Sequence, residues 1–389
     1  MTTRLPKSRE NLVAGQFTLS DEQRLAWLRL IRTENVGPAT FRDLINHCGS
    51  AENALQMLPE LVGRTGKRRY LHTPSVDEAN AELEQIKRHN AQVIGFGEPD
   101  YPAILRHSDS PPPLVTIKGN SKVFQKPTVA IVGSRNASMA GITMSKRLAK
   151  DLGGKGYSVT SGLARGVDKA AHEASLATGT VAVLAGGLGR PYPDENIPLL
   201  REIEETGAGA SISEMPFGWE PRARDFPRRN RIIAGLSLGV IIVEAAKRSG
   251  SLISARIAGE IGRQVFAVPG SPLDPRALGT NELIRNGATL ITSAEDVVAD
   301  LNQTVSLAPE TAPDLFQEDD TIVAQPPEQS DRERIIGLLG PSPVHVDDLV
   351  AHSGLSVGAV TLIVMEAALV GQIERHSGNR VSIAPLGSG

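Results

Sequence analysis

TVAIVGSRNASMAG, residues 128–141, reads as a buried strand that runs through a tight turn into a helix. Val129–Val132 is an unbroken apolar run, the pattern of a strand covered on both faces. Gly133 stops the run, and Ser134, Arg135 and Asn136 make a short polar turn. Ser138 offers a helix cap ahead of Met144, Leu148 and Leu152, which recur at spacings of four. Strand, glycine turn and helix start together make a phosphate site, with free backbone N–H groups, a helix dipole and an arginine beside them. The bare alternative is a plain strand-to-helix turn in an α/β protein.

Outward from this stretch, strands alternate with helices. Tyr157–Thr160, Val181–Leu184, Ser211–Ser213, Val240–Val243, Val265–Val268 and Thr289–Ile291 read as strands, with helices through Ala170, after Pro198 and from Ser251. Such alternation predicts an α/β fold with a doubly wound parallel sheet. Upstream, a helix over 77–90 and strands at Val93–Phe96 and Leu114–Ile117 extend the same sheet.

The flanks differ. Residues 1–19 read as an arm, followed by two helices that meet at Asn35-Val36-Gly37-Pro38-Ala39. This resembles a helix-hairpin-helix or SAM-like module. It reads as packing rather than a phosphate hand, because Arg42 is the lone base just past the turn. Residues 302–330 are acidic and proline-rich, the composition of a disordered linker. Helices at Glu333–Leu339, Val346–His352 and Ser356–Val370, then a hairpin turning at Gly378-Asn379, suggest a winged helix. The expected division is 1–76, 77–301, 302–330 and 331–389. The helix SVGAVTLIVMEAALV carries no Arg, Lys, Asn or Gln for DNA, so a protein contact is expected of it, with a second copy or with the central domain.

Composition narrows the function. Net charge is −3, so any polyanion site must come from local clustering. One cysteine, Cys48, leaves no intramolecular disulfide or Cys-rich zinc site and fits a reducing cytoplasm. No apolar signal core and no run of about 18 apolar residues is present, so no membrane role is expected. Aromatics are 4%, too few for a long stacking platform.

Special residues gather at the carboxyl ends of the strands, where ligands bind in such sheets. They are Gly133-Ser134-Arg135, then Ser161 to Asp168 with Gly162, Arg165 and Gly166, and His172 one turn on. Tyr192, Asn196 and Phe226 follow, then Arg229-Asn230-Arg231, Glu244, and Ser249-Gly250-Ser251 opening a helix. Five arginines fall within 222–231, which favours a phosphate rim over a solvated charge run. No G-x-G-x-x-G after a strand and no G-x-x-x-x-G-K-[ST] occurs, so dinucleotide and P-loop sites are unsupported. Asp168 and His172 are expected to bond the turn and orient Arg165, since no Ser or Cys nucleophile is evident in a trained position. Glu214 and Glu244 are expected to pair with the arginines rather than act as acid and base. No catalytic residue, metal or cofactor is expected.

The set VAIVGSR, SGLARGVDKAAH, YPDEN, FPRRNRIIAGLS, EA followed by SGSLISA, and GRQVFAVPG, spread over roughly 80–295, resembles the DprA/Smf family of DNA-processing proteins of natural transformation. The resemblance implies an extended Rossmann-like fold without catalysis. It implies single-stranded DNA and RecA recombinase as partners, a homodimer, and a DNA pocket at Gly133, Ser134 and Arg135, the Gly162–Gly166 turn, and Arg229, Asn230 and Arg231. Two other classes stay open. One is a phosphoribohydrolase of the lysine-decarboxylase-like type, although Ala185–Arg190 lacks that family's proline and threonine. The other is a regulator that binds double-stranded DNA through the C-terminal domain.

Overall fold

The computed structural model describes residues 18–65, 71–108, 110–305 and 327–385. Residues 1–17 of the arm expected over 1–19, and 306–326 of the acidic linker, lie outside the described residues, while Leu19 is buried.

Three helices open the chain: α1 (Asp21–Arg32), α2 (Pro38–Cys48) and α3 (Ala51–Gly63). Ser20 and Gln23 form a capping box at α1, and Pro38 supplies the preset φ of a first helical turn at α2. Trp27 and Phe41 meet edge to face at 5.1 Å in the core of this module. Next come α4 (Val76–Arg88), β1 (Ala91–Gly95) and β2 (Leu114–Gly119). The buried Glu98 carboxylate after β1 accepts both terminal nitrogens of Arg24 at 2.7 Å and the N–H groups of Leu19 and Gly95. This ties the helical module to the sheet.

The alternating region supplies β3 (Thr128–Val132), α5 (Met139–Gly154), β4 (Ser158–Ser161), α6 (Val167–Ser175), β5 (Thr180–Val183), α7 (Ile197–Glu205) and β6 (Gly209–Ser213). It continues with α8 (Asp225–Gly235), β7 (Gly239–Ile242), α9 (Ser251–Glu260), β8 (Gln264–Ala267), α10 (Leu278–Arg285), β9 (Thr289–Leu290) and α11 (Ala294–Val305). Among the described residues nine strands form one sheet, ordered β1-β2-β6-β5-β4-β3-β7-β8-β9. β3 is central, buried throughout and parallel to both neighbours. Its side chains alternate between two cores: Ala130 and Val132 on one face, Val129 and Ile131 on the other. β7 repeats this with Val240 and Ile242 against Ile241. Both faces are thus covered, as a doubly wound sheet requires.

The chain lays β4, β5 and β6 to one side of β3, then returns to lay β7, β8 and β9 on the other. The direction reverses between β3 and β7, so a crevice opens beyond their carboxyl ends. β1 and β2 extend the sheet as expected, but antiparallel, pairing through β2 with β6. The link between these two strands holds a short 3-10 helix, Ala103–His107, and no crossover α-helix among the described residues. The sheet is therefore mixed.

The last unit holds α12 (Gln329–Gly337), β10 (Val344–His345), α13 (Val346–Ser353), α14 (Val357–Leu369), β11 (Ile373–His376) and β12 (Arg380–Ile383). α12 starts earlier than the apolar spacing suggests, because Glu328 and Asp331 form a capping box. The hairpin turns through Ser377, Gly378 and Asn379, between the paired His376 and Arg380, with φ of 71° at Gly378 and 52° at Asn379, the left-handed region that these two residue types enter most readily. α14 has two buried faces. Val360, Ile363, Val364 and Ala367 fill the unit's own core, while Leu362, Met365 and Leu369 join the core of α1–α3. The protein contact expected of this helix is therefore made, but with the N-terminal module rather than with a second copy or the central domain. Glu366, buried in that contact, pairs with Arg332 at 2.8 Å and Arg64 at 3.7 Å, and Asn35 Nδ2 donates to the Leu369 carbonyl at 2.9 Å. The hairpin also touches α9, where Ser377 donates to Glu260 at 3.0 Å.

Candidate nucleic-acid interface

The two glycine turns at the β3 and β4 ends form one piece. Val167 donates its N–H to the Ser134 carbonyl at 3.2 Å. A Cβ on Gly166, whose φ is 71°, would lie 2.3 Å from that same oxygen, so only glycine lets the turns approach. The Asp168 carboxylate accepts Gly162 N–H at 3.0 Å and Ala164 N–H at 3.4 Å, which holds the second turn in shape. Among the described residues, the N–H groups of Ser134, Arg135, Arg165 and Gly166 donate no hydrogen bond. Adjacent free N–H groups of this kind suit phosphate oxygens.

Arg135 is exposed, and its guanidinium sits 5.4 Å above the Phe226 ring, which meets Tyr192 edge to face at 5.8 Å. Tyr192 is exposed as well. A cation and two aromatic rings are thus gathered beside the first turn. Arg165 is also exposed and pairs at 3.0 Å with Glu195. A pair this open contributes at most about 1 kcal/mol, so a phosphate can replace the carboxylate at little cost. The expectation that Asp168 and His172 orient Arg165 is corrected here. Asp168 faces inward to the turn, His172 bonds Thr180 Oγ1 through Nδ1 at 2.7 Å, and Glu195 holds Arg165.

The arginine run does not form one cationic strip. Asp225–Gly235 is itself a helix, so neighbouring arginines point in different directions. Arg229 turns inward: Nη1 donates to the carbonyls of Gly162 at 2.7 Å and Val183 at 2.5 Å, and Nε to Asn230 Oδ1 at 3.2 Å. Burial lowers its pKa to about 10, with the nearby Asp168 charge opposing the fall. Burial pushes the Asp168 carboxyl upward in turn, against the pull of Arg229. Nη2 is the one Arg229 nitrogen without a hydrogen-bond partner among the described residues. Arg231 bonds the Ser110 carbonyl at 2.6 Å and the Glu214 carboxylate, which Arg228 also reaches at 3.1 Å. Arg222 lies over Trp219 at 4.6 Å.

The glutamates divide. Glu214 pairs with arginines as expected. Glu244 does not: it accepts the Ser138 N–H at 2.9 Å and the Ser138 hydroxyl, and so sits on the N-terminus of α5. The helix start that reads as a phosphate seat already holds an anion of the protein itself. Asn196 is fully buried and donates to the Leu163 carbonyl at 2.8 Å, which makes it a brace for the second turn. Asn230 lies against the Gly250 carbonyl at 3.5 Å. Ser249 and Ser251 bond each other at 2.7 Å, and Gly250 is exposed at the start of α9. The turn at Ala185–Arg190 is closed, since Gly187 and Gly189 donate to the Trp219 and Phe217 carbonyls at 2.9 Å. A Cβ on Gly187 would stand 2.0 Å from the Pro216 oxygen, so no nucleotide phosphate enters there.

Glu195 and Trp219 were not legible as site residues. Glu195 stands in YPDEN with no periodic signal, and only folding brings it to Arg165. Among the described residues no group of three or more His, Cys, Asp or Glu is placed to hold a metal ion. No described helix is long and apolar enough to cross a membrane.

Comparison with known proteins matches most of the chain. Residues 92–302 match the model of DNA recombination-mediator protein A, 21–84 a DprA-like N-terminal HHH domain, and 320–379 a DprA winged helix domain. Protein Smf of Escherichia coli is 35% identical over 365 residues, which cover 92% of this chain and 95% of that one. DNA processing protein DprA of Streptococcus pneumoniae is 44% identical over 227 residues, 58% of this chain and 78% of that one. The X-ray structure of the Streptococcus pneumoniae protein superposes with a TM-score of 0.60 at 32% identity, covering 73% of this chain and 99% of that one. A structure that gives the single-stranded DNA binding mode of DNA processing protein A from Helicobacter pylori superposes at 0.50 with 29% identity, over 55% and 96%. A helical module, a doubly wound sheet with paired glycine turns and a winged helix, in this order and at these identities, mean that the chain belongs to the DprA/Smf family of DNA-processing, recombination-mediator proteins.

Proposed function

We propose that the protein holds single-stranded DNA along the rim at the carboxyl ends of β3 and β4, without turning it over, and hands the strand to RecA recombinase. The observation that carries this is the group of exposed Arg135 and Tyr192 with the half-buried Phe226, beside N–H groups that have no internal partner among the described residues. Free N–H groups and Arg135 suit phosphate, and the rings suit an unstacked base. Arg165 adds a second exposed cation. Gly133, Ser134, Gly162 and Gly166 let the backbone approach. Arg229, Asn230, Asn196, Asp168 and Glu244 support the turns from beneath, and Ser249, Gly250 and Ser251 flank them. All of these lie in the unit 77–301, between the helical unit 1–76 and the linker and winged unit of 302–330 and 331–389. The absence of catalysis rests on the rim chemistry, which offers cations and rings but no activated nucleophile. The strand-holding role places the protein in the cytoplasm, working as a homodimer, as the family resemblance implies.

Filter binding of single- and double-stranded oligonucleotides over a salt series is the direct test. With two exposed arginines and the turn N–H groups in contact, log affinity for a single strand should fall with log salt at a slope of roughly −1.4, about −0.7 per neutralised phosphate. Equal affinity for duplex and single strand, or Arg135→Gln binding as tightly as wild type, would remove the rim from this role. RecA filament nucleation on coated DNA, with and without the protein, tests the handover.

A further inference from the structure

A cleft of about 310 Å3 opens away from the rim, where α2, the loop at Ser110 and the β11–β12 hairpin meet. The formally charged side chains that line it are all cationic: Arg42, Arg375 and Arg380, with His376 beside them. Acids stand behind. Asp43 lies 2.6 Å from Arg375 Nη2 and 3.9 Å from Arg42, and Glu260 lies 3.9 Å from Arg380. Three guanidinium groups therefore meet two carboxylates, and one contact of the three is close.

Arg375 is the most covered of the three, yet its Nε and Nη2 are buried without a hydrogen-bond partner among the described residues. The Asp43 contact is near in distance but lies off the direction an N–H needs. A buried donor left unmade costs about 1–3 kcal/mol, more when charged. An acceptor with several oxygens, entering the cleft, would complete the fork of Arg375 and neutralise its neighbours. The start of α2 points the same way. Gly37 provides no side-chain cap, and Ala39 in the first turn lines the cleft, so the positive end of an eleven-residue helix faces the same space. The volume suits a small ligand, since ligand pockets begin at about 300 Å3.

We infer that this cleft is a second anion site, which takes a phosphate-bearing ligand and, by joining α2 to the hairpin, fastens the winged unit to the body of the protein. The phosphate has two possible sources: a free nucleotide, or a backbone group of a strand leaving the rim. The second rests on the single-strand reading given above, and the first is independent of it. The Arg231 bond to the Ser110 carbonyl joins the cleft wall to α8, the helix that follows β6.

The test uses the full chain, as wild type, as the double variant Arg42→Gln/Arg380→Gln, and as the rim variant Arg135→Gln. Both cleft arginines are about two-thirds covered and carry no buried bond that the fold needs. Calorimetric titration with thymidine monophosphate and with inorganic phosphate reads the free-ligand arm. Binding with Kd below about 1 mM, weakened more than about tenfold in the double variant and kept in the rim variant, supports a nucleotide site. The salt slope of oligonucleotide binding reads the strand arm. If the strand also enters the cleft, the wild-type slope steepens from the rim's roughly −1.4 to roughly −2.8, and a slope shallower by roughly 1.4 in the double variant, two contacts at about 0.7 each, supports a strand phosphate. The inference is overturned if the double variant, with unchanged circular dichroism and melting temperature, matches wild type in both measurements. Should its melting temperature fall, phosphate protection of the wild type decides instead: no rise in melting temperature with phosphate over chloride at equal ionic strength overturns the free-ligand arm, and the single variants repeat the slope test. Failure of wild type to bind any oligonucleotide would refute the rim reading while leaving the calorimetric arm intact.

Discussion

Replacing Arg229 by Met separates support from contact. The guanidinium holds the buried carbonyls of Gly162 and Val183 and faces the buried Asp168. Met keeps the stem and removes the charge. Asp168 is then a buried carboxylate without its cation, a change that costs about 3–5 kcal/mol. The two carbonyls lose charge-assisted donors, worth about 1.5–3 kcal/mol each, though these losses overlap with the first. Against this, the desolvation that lowers the Arg229 pKa to about 10 is relieved. A net loss of about 3 kcal/mol is expected at neutral pH, a large share of the roughly 5–15 kcal/mol that stabilises a protein. The sign with pH follows from Asp168. Its folded pKa already lies above the usual 3.8, mainly through burial, and loss of Arg229 raises it further. A raised acid favours the fold at low pH and loses that contribution as pH rises through the folded pKa, so the deficit of the variant should narrow on acidification. Urea midpoints at several pH values, beside single-strand affinity of the folded protein, measure both effects. Arg135→Met is the companion, with stability within about 0.5 kcal/mol of wild type and clearly weaker binding. The reasoning is refuted if Arg229→Met keeps its midpoint yet binds DNA more weakly than Arg135→Met, because Arg229 would then be a contact and not a strut.

Other outcomes follow from separate parts of the molecule. Burial, with the Arg229 charge adding to it, lowers the His172 pKa from 6.5 to about 3, so the fold loses stability as pH falls through that window, by up to about 4–5 kcal/mol at about 1.36 kcal/mol per unit. His172→Leu should flatten this acid limb in thermal melts, and an unchanged limb would mean the imidazole is already charged in the fold. Glu366→Gln takes the carboxylate from the buried Arg332, while Arg64 keeps Glu60, and should loosen α14 from the N-terminal module by about 3 kcal/mol, seen as faster amide exchange in α2 and α14 with single-strand affinity unchanged. Removal of residues 327–389 should keep single-strand affinity within about tenfold but uncover the α1–α3 core and promote self-association, measured by light scattering. A larger loss of affinity with no association would make the winged unit a principal DNA element.

The sheet was legible because its strands carry unbroken apolar runs and its turns carry glycine. Val129–Val132 and Gly133 alone place a buried strand and its end. The antiparallel sense of β1 and β2 was not legible, because a strand's apolar pattern is the same in either direction. The arginine run misled for a related reason. Counting charges over 222–231 ignores that a helix sends successive residues to different sides, so Arg229 becomes a strut and Arg231 a partner of Glu214. Glu244 was legible as a rim residue but not as the cap of α5, since that contact joins residues 106 apart in sequence. α14 showed an apolar surface larger than its own core needs, which announces a contact, yet nothing in its side chains names the partner.

The joint between α14 and the first helices bears on how the protein is made. Asn35 and Leu369, joined by a hydrogen bond, are 334 residues apart. At roughly 5–20 residues per second, about 20–70 s of synthesis separate the two. Throughout that interval the helices that emerge first lack Leu362, Met365 and Leu369 from their core, so a newborn chain presents an apolar face to its surroundings. The core of α1–α3 is thus completed only after α14 is made, and a stop in translation before α14 leaves it sticky. Helper proteins that shield nascent chains would act on this one face.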